Sequence, residues 1–477
     1  MPTEDDRVVL NGIDAETGAP LVDPMDLSTL AAIIKGQPVD RTQARDLTAI
    51  AQLHNTPTLG LPDGVSPTDV SKAGWAVVLH KDEDPLVRRQ LERLVEHRRG
   101  QIQDDSRVKV LEYADEPDWK AWLAKYRVGV GNVFPQRVPY YLLLVGGPER
   151  IPFEFGQMLS LEYAVGLLHF DSVDGYRQYV DSLIAYETGA ALPRRKEAVF
   201  FRTQERFDRA TKLSALNLVQ PLADGSPGLL DDMDKPVTSK SGFATGRVWD
   251  DAATRPALAE IFAPPAASDP AAFLFTASHG LGFRQPHPEQ PAIQGALKCQ
   301  DNAGFSAQTL AETPGVRVHG LVAFFFACYG AGTPREEQYL REVDQPPPVL
   351  ADKPFIAALP KALLSHPQGG ALACIGHIER AWNYSFIATH IGEQITPYWN
   401  AVRRILDGLP VGYALKDMRE RYATLSTGLS QTLWNMRFGL QPTDQELVTA
   451  WAERNDAGGY VVIGDPAVRL RLDTLVA

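Results

Sequence analysis

Two apolar runs in this 477-residue chain each end in a side chain able to do chemistry. One, FLFTASHG, closes on His279 and Gly280; the other, LVAFFFACYG, closes on Cys328, Tyr329 and Gly330. A cysteine attacks as the thiolate, and at neutral pH it needs a base beside it, most often an imidazole. Both runs are short and continuously apolar, as buried strands are, and the carboxyl edge of an open α/β sheet is where such folds hold reactive groups. Side by side at that edge, Cys328 would attack a peptide carbonyl while His279 takes the thiol proton and returns it to the leaving amine. The N–H groups of Gly280 and Cys328 are the expected oxyanion donors, glycine admitting the substrate closely because it lacks a Cβ. Gly330 and Gly332 are expected to let the chain turn sharply after the nucleophile. The sequence marks no Asp or Glu as an orienting partner for His279, so the expectation is a Cys–His dyad.

The spacing, 328 minus 279, is 49 residues, near the roughly 50 between the catalytic His and Cys of caspases. With Ala327-Cys328-Tyr329-Gly330, the chain resembles the caspase-like cysteine peptidases of clan CD, although Phe326 stands where caspases carry Gln. YYLLLVGGPERIPFEF, YAVGLLHFDSVDGYRQYVDSLIAYE, GGALACIGHIERAW and IGDPAVRLRL are similar to the gingipain and CHAT branch, so the resemblance covers about residues 140 to 470. It implies a three-layer α/β/α sandwich and hydrolysis of a protein or peptide substrate without cofactor or metal. It also implies a bacterial defence or stress effector switched on by an activating partner protein. The strand in GGALACIGH lines the primary specificity pocket in those families, which makes Glu379, Arg380, Trp382 and Asn383 candidate walls. Glu379 facing the pocket would favour a basic P1 residue and Arg380 an acidic one. The residues alone leave that choice open.

Composition bounds these ideas. A chain that is 44% hydrophobic and 22% charged is globular, and its 47 basic against 59 acidic residues give a formal charge of -12, unsuited to nonspecific nucleic-acid binding. It has no run of 18 apolar residues, and MPTEDDRVVLNGIDAE lacks the features of a signal peptide, so the expectation is a cytoplasmic protein without membrane contact. Three cysteines without CxxC spacing build neither a disulfide framework nor a zinc ribbon, and no HExxH is present. Cys374, between Ala373 and Ile375, and Cys299 read as core thiols. His287, His319, His366 and His377 read as structural or exposed.

The elements that must position the pair follow from pattern. Residues 1–72, rich in Pro, Asp and Thr, read as an arm or cap. Residues 73–192 alternate strands (WAVVLH, KVLEY, PYYLLLVGG) with amphipathic helices, a βαβ pattern of parallel strands. Residues 193–477 form a second, catalytic α/β unit that opens with EAVFFRT, carries a helix beginning near Asp208, and ends in long helices and GYVVIGDPAVRLRL, read as strand, turn and strand. The expected fold class is therefore α/β, two consecutive open, mostly parallel sheet units with helices on both faces, the first non-catalytic. The Pro- and charge-rich stretch at 332–353 reads as a long exposed loop, open to processing. Two other functions fit the same chain. One is a catalytically silent caspase-like scaffold or adaptor; the other is an α/β enzyme using Cys328 for acyl transfer to a small molecule.

Overall fold

Apolar runs of five to seven residues form most of the central strands, and these are buried along most of their length because helices flank the sheet. The computed structural model describes residues 60–62, 64–189, 193–227, 231–283, 286–337, 345–382, 386–388 and 392–476, with positions 7, 8, 25, 26 and 31. The main sheet has eleven strands: β1 Trp75–His80, β2 Val108–Tyr113, β3 Tyr141–Val145, β4 Ala164–Leu168, β5 Arg194–Arg202, β6 Ala244–Trp249, β7 Ala271–Ala277, β8 Val322–Phe326, β9 Ala373–His377, β10 Tyr460–Gly464 and β11 Leu475–Val476. Their order is β11-β5-β7-β8-β9-β10-β4-β3-β1-β2, with β6 also paired to β5. The fold is the expected α/β class, a large, mostly parallel open sheet flanked by helices.

One pairing sets the direction of everything else. Every neighbouring pair is parallel except β9 with β10, where Ala373 faces Gly464 and His377 faces Tyr460. The two α/β units thus share one continuous sheet but run in opposite directions within it. The carboxyl ends of β7, β8 and β9 emerge at one edge, and those of β1, β3 and β4 at the other. An aromatic ladder crosses the second half: Phe275 stacks on Phe324 at 4.9 Å, and Phe324 meets Tyr460 at 5.8 Å.

Four helices matter below: α1 Pro85–Ile102, α2 Val173–Glu187, α3 Arg209–Ser214 and α4 Asp444–Gly459. Residues Gly60–Gln431 with Pro442–Ala477 form one compact unit. Met1–Leu59 with Thr432–Gln441 form another, whose described backbone includes an antiparallel pair, Arg7–Val8 with Met25–Asp26. Most of the expected N-terminal arm lies outside the described residues. Among the described residues no helix is long and apolar enough to cross a membrane.

The chain end departs from the expected strand–turn–strand. β10 stops at Gly464 because Asp465 turns inward and caps its own turn, accepting from Ala467 N at 2.9 Å, and Pro466 has no N–H to continue a ladder. The last strand is only Leu475–Val476. Asp465 is fully buried and accepts from Trp75 Nε1 at 3.0 Å and from Arg98 Nε and Nη2 at 3.1 and 2.8 Å. Its backbone N–H donates to Tyr179 Oη, which in turn donates to the Leu372 carbonyl at 3.0 Å. Arg98 also pairs with Glu187 at 2.7 Å. The network therefore ties β1, α1 and α2 of the first half to the segments flanking β9 and β10.

Removing one member of a buried pair leaves an uncompensated charge, so Arg98→Met is expected to cost roughly 3–5 kcal/mol of unfolding free energy in a denaturant titration. Burial acts to raise the Glu187 carboxyl, but Arg98, His97 and Gln101 outweigh it and hold it at about 2, against an ordinary 4.5. A carboxyl lowered on folding stabilises the fold above its unfolded value, and that contribution is lost as pH falls through the folded one. Glu187→Gln is therefore expected to flatten the decline of Tm between about pH 4.5 and 2.

Candidate active site

β7 and β8 are hydrogen-bonded neighbours, with Ala277 opposite Phe326. His279 and Cys328 each stand two positions beyond that pair, hence one strand apart and on the same face. The ladder runs one bond further, Ser278 N donating to Phe326 O at 3.2 Å. Gly280 then packs against the Cys328 backbone: a Cβ there would lie 1.8 Å from Cys328 O. Only glycine fits. The adjoining ladder uses His279 O and Leu281 N, and among the described residues no acceptor takes the N–H of Gly280 or of Cys328.

The turn after Cys328 is made differently from the expectation. Tyr329, not a glycine, takes the left-handed conformation, with φ +58°. Such a geometry is a strained outlier for a bulky residue and is sustained by what surrounds it. Here the support is a zipper to the segment after β9: Tyr329 N donates to Glu379 O at 2.6 Å, Ala331 N to His377 O at 3.1 Å, and Glu379 N to Gly332 O at 3.2 Å. Glu379 is itself left-handed, with φ +67°. Gly332 is needed for closeness rather than for turning, since a Cβ there would meet Phe355 O at 2.7 Å. The chain beyond is less open than a surface loop: Gly332–Thr333 pairs with Phe355–Ile356, and Glu337 is buried. Residues 338–344 lie outside the described residues.

His279 has a partner that the sequence did not mark. Its Nε2 lies 2.5 Å from Asp208 Oδ2. Asp208 is the N-cap of α3, where its carboxylate also accepts from Ala210 N at 3.0 Å and Thr211 N at 3.3 Å. Burial acts to raise this carboxyl, but the bonds from Ala210, His279 and Thr211 hold it below the usual range. The helix start near Asp208 is legible in the sequence; its role toward a histidine 71 residues on is not.

The pair lines a shared cavity of about 230 Å³, with Ala210, Thr211 and Ser214 of α3, Ser278, Phe326, Ala327, and Arg380, Ala381 and Trp382. Of the expected pocket walls, Arg380 and Trp382 line this cavity. The Glu379 side chain is fully buried and does not line the cavity, and Asn383 lies outside the described residues. Arg380 pairs with Glu337 and, at 3.3 Å, with Glu379. Trp382 N donates to the Asp456 carboxylate of α4, and burial pushes that carboxyl up to about 8. His377 is no catalytic group: it is fully buried, its Nε2 donates to the Asp456 carbonyl at 3.1 Å, and burial pushes it down to about 4. A larger cleft of about 1210 Å³, lined by Glu83, Arg150, His169 and Lys361 among others, holds no cysteine. The cysteine and histidine both line the smaller one.

The Cys328 thiol donates weakly to Ala381 O at 3.9 Å and opens only onto the cavity. Burial raises its pKa, with a backbone hydrogen bond at Ala381 and the Arg380 charge opposing it. Cys299 and Cys374 are fully enclosed in the core, and burial pushes Cys299 up to about 12.

No family model matches the chain, and no curated protein matches it. A solved structure titled "Structure of Protease" is similar at a TM-score of 0.44 and 12% identity, over 83% of this chain and 78% of that one. At that distance the likeness says nothing about chemistry, which rests on the geometry above.

Iodoacetamide on the native protein is expected to modify Cys328 alone, with Cys299 and Cys374 reacting only after unfolding, as read by peptide mapping. Because the Cys328 thiol is raised, its alkylation rate should climb through an inflection above that of an ordinary cysteine.

Proposed function

We propose that this chain is a cysteine peptidase that hydrolyses peptide bonds of a protein substrate. One observation carries the reading: a cysteine and a histidine at adjacent strand ends open onto one cavity, with the histidine held from behind by a carboxylate. In this reading Asp208 extends the expected dyad to a triad. Its bond to Nε2 leaves Nδ1 as the nitrogen that takes the Cys328 proton and returns it to the leaving amine. Asp208 fixes the ring and stabilises the imidazolium. The raised thiol pKa makes that base necessary, since little thiolate forms unaided near neutrality. The N–H groups of Gly280 and Cys328 serve as the oxyanion donors in this reading, each such donor being worth about 3 kcal/mol in a transition state.

One observation favours a silent scaffold instead, namely the raised pKa of the Cys328 thiol. The deciding experiment is mass-spectrometric profiling of a diverse peptide library with the wild type and with Cys328→Ala. Cleavage by the wild type alone is the expected result; cleavage equal in both removes Cys328 as nucleophile, and none in either supports the scaffold. His279→Ala should abolish cleavage, and Asp208→Asn should lower kcat by roughly two to four orders of magnitude with KM little changed.

A further inference from the structure

Resting on the peptidase reading, we infer that the residue entering the cavity beside Cys328, the P1 residue of the substrate, is uncharged and apolar, of leucine to phenylalanine size. The cavity's wall is Phe326 and Ala327 from the nucleophile's strand, Ala381 and Trp382 from the segment after β9, and Ala210 from α3. No carboxylate lines it among the described residues, so a lysine or arginine at P1 would be buried without a counter-charge. Its one guanidinium or ammonium among the described residues is Arg380, already committed to two enclosed carboxylates, with Glu337 4% and Glu379 0% exposed at the side chain. An acidic P1 would have to displace one of these and strand it in the protein.

The hydroxyls of the wall are also spoken for. Ser214 Oγ donates to Thr211 O at 3.1 Å, Ser278 Oγ donates to His279 O at 3.2 Å, and Thr211 Oγ1 accepts from Glu205 N at 3.0 Å. These hydroxyls make no demand on a ligand, and the cavity behaves as an apolar one. Size points the same way. A dry apolar cavity of about 150 Å³ takes up benzene, and this one, at about 230 Å³, has room for a leucine, methionine or phenylalanine side chain. Burying such a side chain is worth roughly ten- to a hundredfold in rate over alanine.

The test uses peptidyl acyloxymethyl ketones that share a backbone and differ at P1 as Ala, Leu, Phe, Arg or Asp. Sulfur displaces the carboxylate leaving group, forming a C–S bond as the C–O bond breaks, and the thiol proton passes to the base; the adduct is read by intact mass. Cys328 is expected to react with the Leu and Phe ketones roughly ten to a hundred times faster than with the Ala ketone, and more slowly still with Arg and Asp. Ala210→Leu, which narrows the cavity from α3, should reverse the order of the Phe and Ala ketones. Fastest reaction with Arg or Asp, or rates indifferent to P1, overturns the P1 inference while leaving the peptidase reading standing. If iodoacetamide alkylates Cys328 but no peptidyl ketone does, the peptidase reading itself falls.

Discussion

The buried Asp465 carboxylate is the interaction on which the molecule depends. It sits where two sheet halves of opposite direction meet, and it is satisfied by Arg98, Trp75 and its own turn rather than by water. A charge in that position is costly unless every lone pair finds a donor. The requirement fixes where α1 and β1 stand relative to β10. Through Tyr179 it also holds the Leu372 carbonyl just ahead of β9, the strand whose far end carries the cavity wall.

From that joint the site inherits its rigidity. β9 positions the segment from His377 to Trp382, and this segment in turn holds the turn after Cys328 by three backbone hydrogen bonds. Two left-handed residues, Tyr329 and Glu379, lie within that zipper. Each costs on the order of 1–3 kcal/mol, an amount that only a pre-formed frame sustains. The strain aims Cys328 at the cavity. Asp208 does the equivalent for His279 from the other side, so the two reactive groups are held by separate elements, α3 and the β9 segment.

Much of this was legible in the residues. The strands that end in His279 and Cys328 announce themselves by continuous apolar burial, and Arg380 and Trp382, on the segment after β9, line the cavity. What escaped has a common physical cause, long-range pairing. Asp208 looks like any N-cap until β5 and β7 pair and bring α3 over His279. The order of strands, with β10 between β9 and β4, leaves no trace in hydrophobic period. Tyr329 was missed for a different reason, because local preference assigns turns to glycine, and here tertiary bonds override it.

The position of β10 also governs how the chain can be made. This strand, residues Tyr460–Gly464, is synthesised after both of the strands it joins, β4 and β9. While it is absent, each half presents an unpaired edge, and no other strand lies between them to align the two directions. Ribosomes release sequence at about 5–20 residues per second, so the halves wait many seconds for their keystone. A chain interrupted before residue 460 keeps its cysteine and histidine yet loses both the strand and Asp465. Such a product has its reactive pair but not the strand that joins its two halves into one sheet.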